Sequence, residues 1–368
     1  MNDAQAVLPD ESIHRGAPWL SGTGGDCDVV ISSRLRMARN LAGFPFAGRC
    51  AAAQLQQVLD LCREGLRVAG VRPVGPGALA WVEVHRLSQL ARTLLVERHL
   101  ISKEHAKGQH NSEGPGTPRG VAFTLPDESL SIMVNEEDHL RLQVLRSGQS
   151  LAEALALADR VDDQIESALD FAFQPRLGYL TACPTNVGCG VRMSVMLHLP
   201  GLKLTGEIEK MRKAAKDLQL AVRGFYGEGS DAVGDLYQIS NQTTLGKAEA
   251  GILQELTETI LPEVIGYERL ARRILLEKRR RVVEDQIFRA WGTLRSARLL
   301  APEEALSMLS LARLGVLMGL IREVDEPTVT QLFLLAQPAH LQRFVGRVLD
   351  QQERREARAD LIRHRLGG

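Results

Sequence analysis

The sequence predicts an α+β fold: an antiparallel sheet flanked by helices, followed by an all-helical C-terminal domain. Three observations carry this. Strand-like runs cluster between helices instead of alternating with them one for one, which disfavours a parallel βαβ sheet. Beyond about residue 247 nearly every stretch has helical spacing, broken at Gly266, Gly292, Pro302, Pro327 and Pro338. The 368 residues, 44% hydrophobic and 24% charged, have the mix of a globular chain long enough for one large domain or two ordinary ones.

The elements follow in order. Gly22, Gly24 and Gly25 with nearby Asp and Pro mark residues 1–27 as a loosely held arm. Apolar residues at helical spacing (Leu55, Val58, Leu59, Cys62, Leu66, then Leu87, Leu90, Ala91, Leu94) predict two helices. Gly108, Gly114, Pro115, Gly116 and Pro118 make residues 103–120 a polar loop. Short or alternating apolar runs at 121–125, 130–134 and 142–145 predict strands. A long helix fits Leu151, Ala154, Leu155, Ala158, Val161, Ile165, Ala168 and Leu169. Strands return at 178–182, 193–199, 219–226 and 235–240, with Met193, Val195, Leu197 and Leu199 on one face. The expected division is an arm over 1–27, an α+β domain over 28–258 and a helical domain over 259–368.

Charge and cysteine usage narrow the function classes. Forty-five basic residues balance forty-five acidic ones, which argues against a global attraction to nucleic acid or membrane and leaves a local basic pocket open. No run approaches the roughly 18 apolar residues of a membrane span, and no basic segment precedes an apolar run at the N-terminus. Five cysteines without paired metal spacing suit reduced thiols, so a cytoplasmic location is expected.

Five segments carry candidate chemistry. In Ser33-Arg34-Leu35-Arg36 the two arginines alternate with apolar neighbours, so an extended strand points both guanidinium forks one way, as a polyphosphate requires. Taken alone, the pattern is more often a solvated strand face. Asn135-Glu136-Glu137-Asp138-His139-Leu140-Arg141 places three mutually repelling carboxylates after an apolar strand, an arrangement that needs cations or a ligand; a charged turn is the plainer alternative. Cys183-Pro184-Thr185-Asn186-Val187-Gly188-Cys189-Gly190-Val191-Arg192 joins two strands, and its glycines let backbone approach a bound group; Cys183 either faces that group or is a small buried thiol. Arg223-Gly224-Phe225-Tyr226-Gly227-Glu228-Gly229 offers an acid on a glycine-bounded turn. Gln238 through Gly246 is a polar strand end that equally suits a cap. The P-loop, the protein-kinase motifs, H-E-x-x-H and Cys/His zinc spacings are absent from the sequence.

Taken in this order, the segments resemble the phosphagen (guanidino) kinase family, and within it the protein arginine kinases of the McsB type, over about residues 28–365. The resemblance implies a guanidino kinase catalytic domain and transfer of the ATP γ-phosphoryl group to arginine side chains of proteins, with Mg²⁺. It implies that Arg34, Arg36, Arg141, Arg192 and Arg223 surround the ATP phosphates. Glu137 and Glu228 would hold the guanidinium, with Cys183 beside it. It implies further a homodimer working in protein quality control and stress response, with a Clp-type protease, a heat-shock repressor and a zinc-containing activator as partners. Small-molecule guanidino kinases carry a helical domain ahead of the first arginine motif; here that motif begins near residue 30, so an open pocket accepting a peptide-borne arginine is expected. The alternatives are a kinase of a free guanidino compound and a non-catalytic adaptor that retains the fold. One departure stands out. Where the subgroup has an Arg-Asp pair associated with binding phosphoarginine as a regulator, this chain has Arg354-Arg355, a cation in place of the carboxylate.

Overall fold

The computed structural model describes residues 7–73, 75–107, 116–218, 220–224 and 233–367. Its strands are β1 (Val30–Arg39), β2 (Ala78–Glu83), β3 (Gly120–Leu125), β4 (Leu130–Val134), β5 (Leu140–Ser147), β6 (Phe173–Gln174), β7 (Gly178–Tyr179), β8 (Val191–His198), β9 (Leu220–Gly224) and β10 (Leu236–Asn241). Eight of them form one antiparallel sheet in the order β2-β3-β4-β5-β1-β8-β10-β9, and β6 and β7 make a separate hairpin.

The alternation predicted for β1 sorts the two faces of this sheet. Leu35 and Met37 point to one side with Leu142 and Val144 of β5 and Met193, Val195 and Leu197 of β8. Against that face pack α2 (Ala52–Val68) through Val58, Leu59, Cys62 and Leu66, and α5 (Leu151–Glu166) through Ala154, Ala158, Val161 and Ile165. Each large side chain buried there contributes roughly 1.5–3 kcal/mol. The shorter helices α4 (Lys103–Lys107), α6 (Pro200–Thr205), α7 (Ile208–Asp217) and α8 (Glu249–Gln254) lie between these elements, and α9 (Leu261–Lys278) adds Leu261, Val264, Ile265 and Ala271 to the same core.

The opposite face is apolar at its two flanks and polar between them. At one flank Val121, Phe123 and Met133 are covered by α1 (Asp10–Arg15) and α3 (Gln89–Glu97). At the other, Ile31, Leu145, Met196 and Leu236 share a core with Trp19 and with the helical region, built from α10 (Arg280–Ser296), α11 (Pro302–Leu317), α12 (Glu326–Leu335), α13 (Pro338–Val345) and α14 (Gln351–Arg365). Ile287, Trp291, Leu309 and Phe333 lie at the centre of that region.

Several sequence expectations need correction. Gly266 and Gly292 break no helix, since α9 and α10 run through them. The arm is not loosely held: Ile13, Trp19 and Leu20 are buried, and the Arg98 guanidinium donates to the carbonyls of Ser12 and Gly16 at 3.3 and 2.9 Å. Its glycines punctuate a packed segment. The edge strand β2 escaped notice because Ala78-Leu79-Ala80-Trp81-Val82 is apolar without a period of two. The strand expected over 178–182 ends at Tyr179, because Leu180 and Ala182 spend backbone groups on Asn40, Ala172 and Asp138 instead of a ladder.

Arg98 also meets Glu128 in a fork, Nε and Nη2 each at 2.7 Å, with both side chains wholly buried. Removing one partner of such a pair strands a buried charge. Glu128→Ala is therefore expected to lower unfolding free energy by about 3–5 kcal/mol in a denaturant titration.

Candidate active site

On the polar face β1 presents Arg34 and Arg36. Cross-strand register brings them their neighbours: Arg36 lies directly opposite Arg192, Arg34 opposite Ser194, and Ala38 opposite Arg141. On the far side of β8, Gln238 pairs in register with Arg223 and Ser240 with Ser194. Strand alternation and cross-strand register together put all five arginines on one surface.

Their electrostatics agree. Burial, then the Arg141, Arg192 and Arg223 guanidinium groups, push Arg34 down to about 10. Burial, then Arg34, Arg141 and Arg192, push Arg36 well down, against a smaller upward pull from Glu136. Like charges gathered this way are held at a cost unless an anion joins them. Two neutral acceptors steady the cluster: Gln238 Oε1 accepts from Arg34 at 2.9 Å, and Ser240 Oγ from Arg192 at 3.1 and 3.3 Å. The buried Nε of Arg36 finds no acceptor among the described residues.

Arg39, in the same segment, has a different fate. It points to the other face, where it binds Asp162 of α5 at 2.6 Å, donates to the carbonyls of Ala38 and Cys189, and lies 3.5 Å over the Tyr179 ring. It bolts a helix to the sheet.

The Asn-Glu-Glu-Asp-His segment is the turn between β4 and β5, and most of it is structural. Asn135, with φ +62, donates to the carbonyls of Leu55 and Pro118 at 2.8 and 2.9 Å. Asp138 Oδ1 accepts from Asn40 at 2.6 Å and from the Ala182 amide at 2.7 Å. Asn40 Oδ1 in turn accepts the His139 amide at 2.9 Å, and His139 Nδ1 accepts the Leu41 amide at 3.1 Å. With those three residues anchored, Glu136 and Glu137 are left at the tip. Glu136 forms an ion pair with Arg141 and accepts from Ser102 Oγ at 2.7 Å. Glu137 is exposed; burial of its carboxyl and then the Asp138 charge raise its pKa.

The Asp138–Ala182 bond ties this turn to the segment that carries Cys183, one residue on from Ala182 as Glu137 is one back from Asp138. Cys183 is half-buried, with Sγ 3.0 Å from Thr185 Oγ1. Thr244 Oγ1 donates toward the carbonyls of Thr185 and Val187 at 3.2 and 2.8 Å, so the polar strand end acts as a clamp on this segment. Gly188 was expected to admit a bound group. Its φ of +118 instead admits the chain itself, since a Cβ there would meet the Thr244 carbonyl oxygen at 2.5 Å.

Of the predicted site residues, Arg34, Arg36, Arg141, Arg192 and Arg223 are brought together, and Glu137 and Cys183 are tied to one another through neighbours. Glu228 lies outside the described residues. Sequence reasoning missed His99, which carries no motif. It follows α3 with φ +58, packs edge-on against Trp19 at 5.0 Å, and is pushed down to about 3 by burial, then by Arg34, Lys103 and Arg36. With Trp19, Met196 and Leu145 it walls a narrow cleft beside Arg34.

Comparison with known proteins agrees with this geometry. Residues 73–271 match the ATP:guanido phosphotransferase C-terminal catalytic domain, and residues 280–368 the protein-arginine kinase McsB C-terminal domain. The protein-arginine kinase of Symbiobacterium thermophilum is 46% identical over 351 residues, 95% of this chain and 96% of its own. That of Bacillus cereus strain AH187 is 41% identical over 350 residues, again 95% and 96%. Among solved structures, a lombricine kinase superposes with a TM-score of 0.55 at 24% identity over 71% of each chain. The duplicated taurocyamine kinase from Schistosoma mansoni does so at 0.54 and 24%, over 74% of this chain and 35% of that one. These two likenesses speak for the fold alone. The chain belongs to the ATP:guanido phosphotransferase family and, within it, to the protein-arginine kinases.

Proposed function

We propose that the five-arginine face grips the triphosphate of ATP while Glu137 and Glu228 steer an arginine side chain of a protein toward its γ-phosphorus. The convergence of Arg34, Arg36, Arg141, Arg192 and Arg223 on one sheet surface supports this most directly. Guanidinium forks match phosphate oxygens bidentately, and a preorganised cationic cradle favours the charge that spreads over a transferring phosphoryl group.

The acceptor is a poor nucleophile, because a guanidinium stays protonated up to a pKa above about 12. A carboxylate does not deprotonate it beforehand. Glu137 and Glu228 grip separate N–H groups, aim one nitrogen at phosphorus and accept the proton as the N–P bond forms and the bond to the ADP oxygen breaks. Alignment of this kind supplies up to roughly 7–11 kcal/mol of the barrier. Cys183 lies beside the guanidinium in this reading.

Among the described residues no cluster of three or more metal-ligating side chains exists, and Glu136 is already engaged with Arg141. Mg²⁺ therefore enters with ATP as part of the substrate, where it neutralises phosphate charge. Work in protein quality control and stress response in the cytoplasm, as a homodimer with a Clp-type protease, a heat-shock repressor and a zinc-containing activator, belongs to the same proposal and rests on resemblance to the subgroup. Among the described residues no helix is long and apolar enough to cross a membrane.

The deciding experiment incubates the enzyme with labelled ATP and an arginine-rich protein, with free arginine as the competing acceptor, followed by acid. Acid-labile label on the protein is the expected result. Label on free arginine alone, or none at all, overturns the reading.

A pH dependence follows from Glu137. Its carboxylate accepts a proton only when ionised, so turnover falls as pH drops through its raised pKa. Both bonds to Asp138 use Oδ1. Asp138→Asn therefore keeps an acceptor for each while removing the second-largest cause of the rise. The acid limb of the kcat profile is expected to move to lower pH in Asp138→Asn, with the alkaline side unchanged.

A further inference from the structure

The far end of the arginine-bearing strands is tied into the helical region by a buried chain of side chains that the mechanism above does not use. His198 closes β8 on the same face as Arg192. Arg313 of α11 donates Nη1–H to His198 Nδ1 at 2.7 Å, so His198 presents Nε2–H to Ser310 Oγ at 2.8 Å, and Ser310 donates to Asp235 Oδ2 at 2.6 Å. Lys203 holds the other oxygen, Oδ1, at 2.6 Å. Arg313 is itself fixed by Glu326 and by the carbonyls of Cys27 and Asp28. His198, Ser310 and Arg313 are fully buried, and Asp235 is 6% exposed. Every donor points one way, which needs neutral His198; burial and then Arg313 and Arg272 keep it so.

The chain ends at an unusual piece of backbone. Asp235 has φ +55 and Gly234 φ +71, two consecutive left-handed residues immediately before β10. Gly234 is pressed on the helical region so closely that a Cβ would meet Phe333 at 3.0 Å and the Leu306 carbonyl oxygen at 3.2 Å. A non-glycine residue in this conformation persists only where its surroundings hold it. From this turn β10 runs out to Gln238 and Ser240, the acceptors that steady Arg34 and Arg192.

We propose that Asp235 is a positioning residue and that Arg313, His198 and Ser310 make the C-terminal helical region a working part of the catalytic site: they hold the left-handed turn that sets β10, and through Gln238 and Ser240 the aim of Arg34 and Arg192. The proposal rests on Arg34 and Arg192 gripping phosphate. Small errors in such alignment cost large factors in rate.

The test is turnover per folded molecule for Ser310→Ala, Ser240→Ala and the double variant, measured well below the melting temperature of each. The expected result is a fall in kcat of about tenfold or more for Ser310→Ala, with little further loss when Ser240→Ala is added, because both act on one strand. Independent, multiplying losses would mean that Ser310 does not act through β10 and would overturn the proposal, as would a wild-type kcat for folded Ser310→Ala. If Ser310→Ala does not fold, Lys203→Ala takes its place, since that side chain is half exposed; a several-fold lower kcat is expected there, and an unchanged one overturns the proposal. Arg192→Ala separates the two levels. Lost turnover in Arg192→Ala beside wild-type Ser310→Ala defeats the coupling alone, whereas wild-type turnover in Arg192→Ala defeats the phosphate grip and the coupling with it.

Discussion

Arg36→Ala is expected to lower kcat/KM for ATP by about a thousandfold or more, the scale on which single preorganised cationic groups act in phosphoryl transfer. Arg36 stands opposite Arg192 at the centre of the face, and its buried Nε has no acceptor among the described residues, so part of its fork is held ready for a ligand. Arg36→Lys should recover little, because an ammonium offers a point charge and no planar fork. Steady-state kinetics beside ATP titration checks this. A KM rise alone, with kcat kept, would place Arg36 in ground-state binding and not in the transition state. Arg39→Ala is the control from the same strand: it leaves Asp162 buried and unpaired, so its loss should appear as a lower melting temperature.

Glu137→Gln should leave ATP affinity near wild type and lower kcat by at least about a hundredfold, the usual yield of a general base. Glutamine keeps the shape and one acceptor oxygen, so lost proton acceptance and lost attraction for the guanidinium are what the substitution reads. Pre-steady-state phosphoryl transfer to a protein acceptor is the measurement, and an unchanged transfer rate would remove Glu137 from the mechanism. Glu136→Gln makes the contrast. Glu136 faces Arg141 and Ser102, so its loss frees a phosphate-side cation and should change ATP KM more than kcat.

Much of this site is legible in the sequence. Arg34 and Arg36 had to share a face once β1 was extended, since side chains alternate along a strand regardless of what surrounds it. Local periodicity of two found most of the sheet strands, and helical spacing found the helices α2, α3 and α5. Local rules failed where a residue's task is set by a distant partner. Nothing in the sequence separates Arg39, paired with Asp162 of α5, from Arg36 three positions away, apart from the parity of the strand. Nothing marks Asn135, Asp138 and His139 as anchors, Glu136 as the partner of Arg141 and Glu137 as the exposed acid, because the groups the anchors bind come from residues 40, 41, 55, 118 and 182.

The sequence by itself determined the fold class, the strand parity that turns arginines outward from an apolar core, and the family. The tertiary structure alone decided which charges face each other: that Arg192 and Arg223 join Arg34 across three strand pairings, that His99 and Trp19 wall the cleft, and that the helical region grips Asp235. The physical reason is range. Alternation and helical periodicity are properties of adjacent residues, whereas electrostatic focusing and buried hydrogen-bond chains exist only after register and packing have brought remote segments within a few ångströms.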